Sequence, residues 1–163
     1  HMQQEAFNQR AVTISAWIKP EAVDRRQAFV GRRFSEASAP FILSIHEGRI
    51  VFEAAETSGK WAYNVRSPAV VKPGQWQHLA AVIEEDKGVR LYLSGQEVLR
   101  SEAKGKLAAN SEPLVIGREA WAANPSDAPR GPTFYRGLMG PIKIWARALE
   151  AQEIAAECAS GKP

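Results

Sequence analysis

Residues 11–18 alternate between two kinds of side chain, and this alternation constrains the chain more than any other feature. Val12, Ile14, Ala16 and Ile18 fall on one side; Thr13, Ser15 and Trp17 fall on the other. A repeat of two matches the pleat of a β-strand, whose successive side chains point to opposite faces, and does not match a helical turn. A strand with one apolar face needs a second layer to bury it. Pro20 is expected to end this strand, because proline has no N–H to give to a sheet ladder.

Similar short runs follow. Residues 28–34, 41–45 and 49–53 read as strands, the last two joined by the hairpin signal Glu47-Gly48. Across residues 61–66, Trp61, Tyr63 and Val65 alternate with Ala62, Asn64 and Arg66. Val71-Lys72-Pro73-Gly74 is a turn by composition. Residues 75–83 and 89–93 form a pair through Glu85-Asp86-Lys87-Gly88, with glycine where a positive φ is wanted. Ser94-Gly95 then turns the chain into residues 96–101, and residues 114–117 and 134–145 add further strands. Helical spacing occurs only around Leu149, Ile154 and Cys158, where Glu150 and Glu153 suit the positive end of a helix dipole. Short strands separated by turns, without β-α-β alternation, predict an all-β, two-sheet antiparallel jelly-roll sandwich with a short C-terminal helix.

A length of 163 residues suits one domain, and 45% hydrophobic with 24% charged residues is ordinary for a globular chain. The expected division is residues 1–10 as a tag remnant (His1-Met2) and lead-in, residues 11–158 as the jelly roll, and residues 159–163 as a tail. Net charge is +3, but the basic residues are scattered, their densest groups being pairs such as Arg25-Arg26 and Arg32-Arg33. A nucleic-acid binder would concentrate them in a stripe, so no nucleic-acid partner is expected. The single cysteine, Cys158, rules out an intrachain disulfide. No apolar run approaches the roughly 18 residues of a membrane-spanning helix, so no membrane span is expected.

Three stretches resemble the laminin-G-like jelly-roll domain of the concanavalin A-like lectin/glucanase superfamily. The first is Val12-Thr13-Ile14-Ser15-Ala16-Trp17-Ile18-Lys19-Pro20. The second is Gly74-Gln75-Trp76-Gln77-His78-Leu79-Ala80, followed by the strand and turn of residues 90–98. The third comprises Leu114-Val115-Ile116-Gly117, residues 134–144, Ala146-Arg147-Ala148-Leu149 and Glu153-Ile154. In that family another strand precedes the one at Val12; here residues 3–10 either form it in shortened form or do not form it. Family members also tend to carry an acidic residue near a calcium site where this chain reads Met139-Gly140-Pro141. Calcium is therefore not carried over, and no cofactor is expected.

Catalytic patterns fit poorly. Glycoside hydrolases on this fold place carboxylates at alternate strand positions so that acid and nucleophile face one bond. Glu84-Glu85-Asp86 is contiguous beside a turn, so its side chains diverge. A lyase set of clustered His, Arg, Tyr and Gln would have to draw on His46 and His78 alone, and His78 lies in the core signature. No nucleophile elbow, zinc spacing or glycine-rich phosphate loop is present. The expectation is a domain that is not an enzyme.

Sugar sites pair an aromatic platform with polar hydrogen-bonding side chains. The candidates are Trp61, Tyr63 and Arg66 on one strand with Asn64 beside them, and Trp121, Asn124, Asp127 and Arg130 in the long segment 119–132, followed by Tyr135. Arg32, Arg33 and His46 are further candidates for the same face. For Trp61 and Tyr63 core packing fits as well as ligand contact, and core packing is the expectation for Trp17, Trp76 and Trp145. The resemblance implies a non-catalytic carbohydrate-binding module of a larger secreted or cell-surface bacterial protein. Its partners would be a polysaccharide or oligosaccharide and the other domains of the parent chain. The basic balance favours an acidic or sulfated glycan. A protein-interaction or spacer domain of the same fold is the alternative.

Overall fold

The computed structural model describes residues 9–33, 39–56, 58, 60–109, 111–119 and 133–163. Among these residues ten strands and one helix follow in order: β1 (Ala11–Pro20), β2 (Gln27–Arg32), β3 (Phe41–His46), β4 (Arg49–Ala55), β5 (Trp61–Val70), β6 (Gln77–Glu84), β7 (Gly88–Leu93), β8 (Gln96–Ser101), β9 (Val115–Ile116), β10 (Gly137–Trp145) and α1 (Ala151–Ser160). They form two five-stranded sheets, the first in the order β10-β1-β6-β7-β8 and the second in the order β5-β4-β3-β2-β9. Every ladder between these strands is antiparallel. The chain is an antiparallel sandwich with a short C-terminal helix.

The core lies between the sheets and follows the alternation of each strand. Val12, Ile14, Ala16 and Ile18 of β1 meet Leu79, Ala81 and Ile83 of β6 and Phe41, Leu43, Ile45, Ile50 and Phe52 of the opposite sheet, all essentially without exposure. Each large apolar side chain removed from water in this way contributes roughly 1.5–3 kcal/mol. Pro20 ends β1, occupying its last position opposite Gly137, where a missing donor costs least. The β3–β4 hairpin turns through Glu47 (φ 50°) and Gly48 (φ 73°), the left-handed pair a tight hairpin needs.

Helix α1 lies on the outer face of the first sheet. Its buried Ile154 joins Leu149 against Ala80, Val82 and Tyr92, the outward residues of β6 and β7. Thr13 fixes the approach: its hydroxyl donates to the Arg147 carbonyl at 2.8 Å and accepts from the Leu149 N–H at 2.9 Å. The helix starts with a reciprocal capping box between Glu150 and Glu153. Glu153 also takes a two-pronged bond from Arg147 at 2.9 and 2.7 Å. Together the Arg147 guanidinium and the Glu150 backbone N–H hold its carboxyl down to about 2. Among the described residues, no helix is long and apolar enough to cross a membrane.

Candidate functional site

The outer face of the second sheet is built differently. On β3, Phe41 and Leu43 enter the core, so Ile42 between them faces outward; on β4, Phe52 and Ala54 enter it, so Glu53 faces outward. Ile42, Glu53 and Asn64 stand in one cross-strand row. Beside this row the Arg26 guanidinium donates to the Glu53 carboxylate and, at 3.2 Å, to Glu119, which also accepts from Arg33. The four side chains are only 7–12% exposed. Two cations face two anions, so the cluster is charge-matched, as buried ionised groups must be. Burial alone would lower the Arg26 pKa, but the carboxylates of Glu53 and Glu119 outweigh it and raise it.

Trp61 sits at the margin of this cluster, partly exposed, against Ala28, Ala39 and Ile42. The Arg33 guanidinium lies 5.2 Å from its ring centroid, within cation–π range. Asn64 and Arg66 are exposed nearby on the same strand; Arg66 pairs with Glu47 at 3.2 Å and donates to the His46 carbonyl at 3.3 Å. The face therefore offers an aromatic edge and polar side chains above a rigid, neutral floor.

The structure separates several candidates that the sequence grouped. Trp61 and Tyr63 do not share a face. Ala54 pairs with Tyr63 and Ala55 with Trp61, so Ala62 is an extra residue, a β-bulge that reverses the alternation. Tyr63 is fully buried in the intersheet core and its hydroxyl donates to the Gly105 carbonyl, so it has no ring face to offer a ligand. Arg32 is likewise fully buried, its Nε donating to the Glu112 carbonyl at 2.9 Å. Its neighbour Arg33 takes the outward position instead. Tyr135 packs edge-on to Phe29 at 6.4 Å, and its hydroxyl donates to the Leu138 carbonyl at 3.0 Å. It belongs to the core margin, where burial pushes its pKa up. Trp17 is buried, though on the outer face of the first sheet beside His78 and not between the sheets.

Trp121, Asn124, Asp127 and Arg130 lie outside the described residues. The flanking residues converge at this face: the Glu119 N–H donates to the Thr133 hydroxyl at 3.2 Å, the Ala28 N–H of β2 donates to the Thr133 carbonyl at 3.1 Å, and Glu119 joins the charge cluster. Arg26, Glu53 and Glu119 were not legible as site residues. Glu53 carried a usable signal, an acid between two core positions of a strand, whereas Glu119 meets Arg26 across 93 residues of sequence. Among the described residues there is no group of three His, Cys, Asp or Glu placed to hold a metal ion.

Two packed antiparallel sheets, one covered by a terminal helix and one carrying a polar and aromatic outer face, define a lectin-like jelly-roll domain. The chain belongs to the concanavalin A-like lectin/glucanase superfamily, whose family model matches residues 2–155. Among solved structures it resembles the CBM40 of the Ruminococcus gnavus IT-sialidase bound to α2,3 sialyllactose, with TM-score 0.73 and 16% identity over 93% of this chain and 84% of that one. It also resembles a heptameric SAP-like pentraxin from Limulus polyphemus, with TM-score 0.70 and 19% identity over 94% of this chain and 72% of that one. A putative carbohydrate binding protein from Bacteroides ovatus matches with TM-score 0.68 and 16% identity over 90% of this chain but 40% of its own length. No curated protein matches in sequence.

Proposed function

We propose that the chain is a non-catalytic carbohydrate-binding module, secreted or at the cell surface and joined to other domains of a larger bacterial protein. The observation that carries this reading is Trp61, turned outward by the bulge at Ala62 onto a face that also presents Asn64 and Arg66. A sugar ring offers a flat apolar face ringed by hydroxyls, and this combination meets both. Trp121, Asn124, Asp127 and Arg130 complete the site in this proposal, because both ends of their segment reach the same face. The solved relatives described as carbohydrate-binding support the ligand class. Attachment to a neighbouring domain would make a weak single site useful by raising the local ligand concentration.

The test is a glycan array followed by affinity electrophoresis, with and without calcium, on wild type beside Trp61→Ala, Asn64→Ala and Trp121→Ala. Retention that these substitutions abolish, with circular dichroism unchanged, is the expected result. Failure of the wild type to be retained on any polysaccharide would overturn the reading in favour of a protein-interaction or spacer domain.

A further inference from the structure

The outer face of the first sheet holds a depression beside α1, of about 260 Å³ and lined by Val82, Glu84, Lys87, Arg90, Arg100 and Glu102 among others. Its floor is one cross-strand row in which Val82 pairs with Arg90 and Arg90 with Arg100. Two guanidinium-bearing side chains directly opposite each other on one face repel, an arrangement that sheets ordinarily avoid. The neighbouring carboxylates relieve it only in part. Glu97 is committed to Arg100, accepting two bonds at 2.9 and 2.8 Å, and Glu84 to Lys87 at 2.5 Å. Among the described residues the Arg90 side chain forms no ion pair, and it donates to the Leu149 carbonyl at 3.1 Å, before the start of α1. Glu102, exposed and also lining the depression, likewise has no ion pair among the described residues.

We propose that this depression is a second ligand site, for an acidic sugar residue. Its carboxylate or sulfate would bridge Arg90 and Arg100, and its neighbouring hydroxyls would donate to Glu102. The charge pattern selects this chemistry. A guanidinium without an ion pair calls for an oxyanion, and a carboxylate without one in the same depression calls for donors such as ring hydroxyls. A neutral sugar would leave Arg90 without an ion pair, and a bare inorganic anion would offer Glu102 no donor. The site is independent of the second-sheet face, which lies on the opposite side of the sandwich with its charges already matched.

The experiment titrates glucuronate, glucose 6-sulfate and glucose into the protein while following the arginine Nε–H resonances by NMR. The acidic sugars are expected to shift the Arg90 and Arg100 signals, and glucose to shift neither. Arg90→Gln should weaken glucuronate binding at least tenfold. Glu97→Gln should strengthen it by freeing Arg100, a gain that no unfolding could imitate. Trp61→Ala should leave it unchanged, so a failure of the second-sheet site and a failure of this one are separable. Acidic sugars that leave both arginine signals in place, or glucuronate binding that persists undiminished in Arg90→Gln and Arg100→Gln, would overturn the proposal.

Discussion

The two outer faces of the sandwich start from the same pleat and are finished in opposite ways. On the first sheet, β6 and β7 turn Ala80, Val82 and Tyr92 outward, and α1 closes over them with Leu149 and Ile154. On the second sheet, the corresponding positions carry Glu53, with Arg26, Arg33 and Glu119 packed beside it as a charge-matched cluster. The first is held by burial of apolar area, which is tolerant of direction. The second is held by partners that must all be present at once, since removing one leaves a buried charge uncompensated. The contrast shows where stability and recognition separate: the part of an apolar face that its own helix covers can present little to a ligand, whereas a polar face of fixed geometry can.

The sharpest way to break this comparison is to charge the apolar side. Ile154→Asp is expected to cost about 4–5 kcal/mol, the penalty of burying an unpaired carboxylate, and to release α1; urea unfolding and helix loss in circular dichroism measure it. On the polar side, Glu119→Gln removes the carboxylate shared by Arg26 and Arg33. Its expected cost is about 3 kcal/mol in the same urea series, with Ile154→Val nearly silent by comparison. If Glu119→Gln costs nothing, the cluster is not what holds that face.

A pH titration sharpens the same contrast. His78 is buried on the first sheet with its ring 5.5 Å from Trp17, and burial lowers its pKa to about 4 against the attraction of Glu157, with Lys143 adding to the lowering. The folded state therefore resists a proton that the unfolded chain accepts near pH 6.5. Stability from this source is complete above pH 6.5 and falls as pH drops toward 4, by roughly 2–3 kcal/mol in all. His78→Gln should flatten that slope in thermal melts between pH 4 and 7. The smallest expected effect is Arg66→Ala, whose exposed pair with Glu47 is worth under about 0.5 kcal/mol. Its thermal midpoint should barely move while glycan retention drops.

Most of the architecture was legible because period-two runs such as Val12 to Ile18 report directly which residues face the core. The helix was legible too, although it begins at Ala151 and not at Leu149, because the capping box and not the apolar spacing sets its start. The site was legible only in part, for two physical reasons. Bulges shift the phase of a strand without leaving a mark in composition: one at Ala62 parts Trp61 from Tyr63, and an irregularity between Ala28 and Val30 sets Arg32 inward and Arg33 outward. Ion pairs between distant segments leave no local pattern at all, and Glu119 reaches Arg33 across 86 residues.

The extra residue at Ala62 has a consequence for how such a face can change. Because the two-for-one pairing at Ala62 sets whether the aromatic ring looks outward or inward, a regular ladder through the same residues would turn Trp61 from a surface platform into a core side chain without altering its identity. Recognition on this face is thus open to gain and loss by a shift in the pairing of an edge strand, a coarser route than stepwise substitution of contact residues.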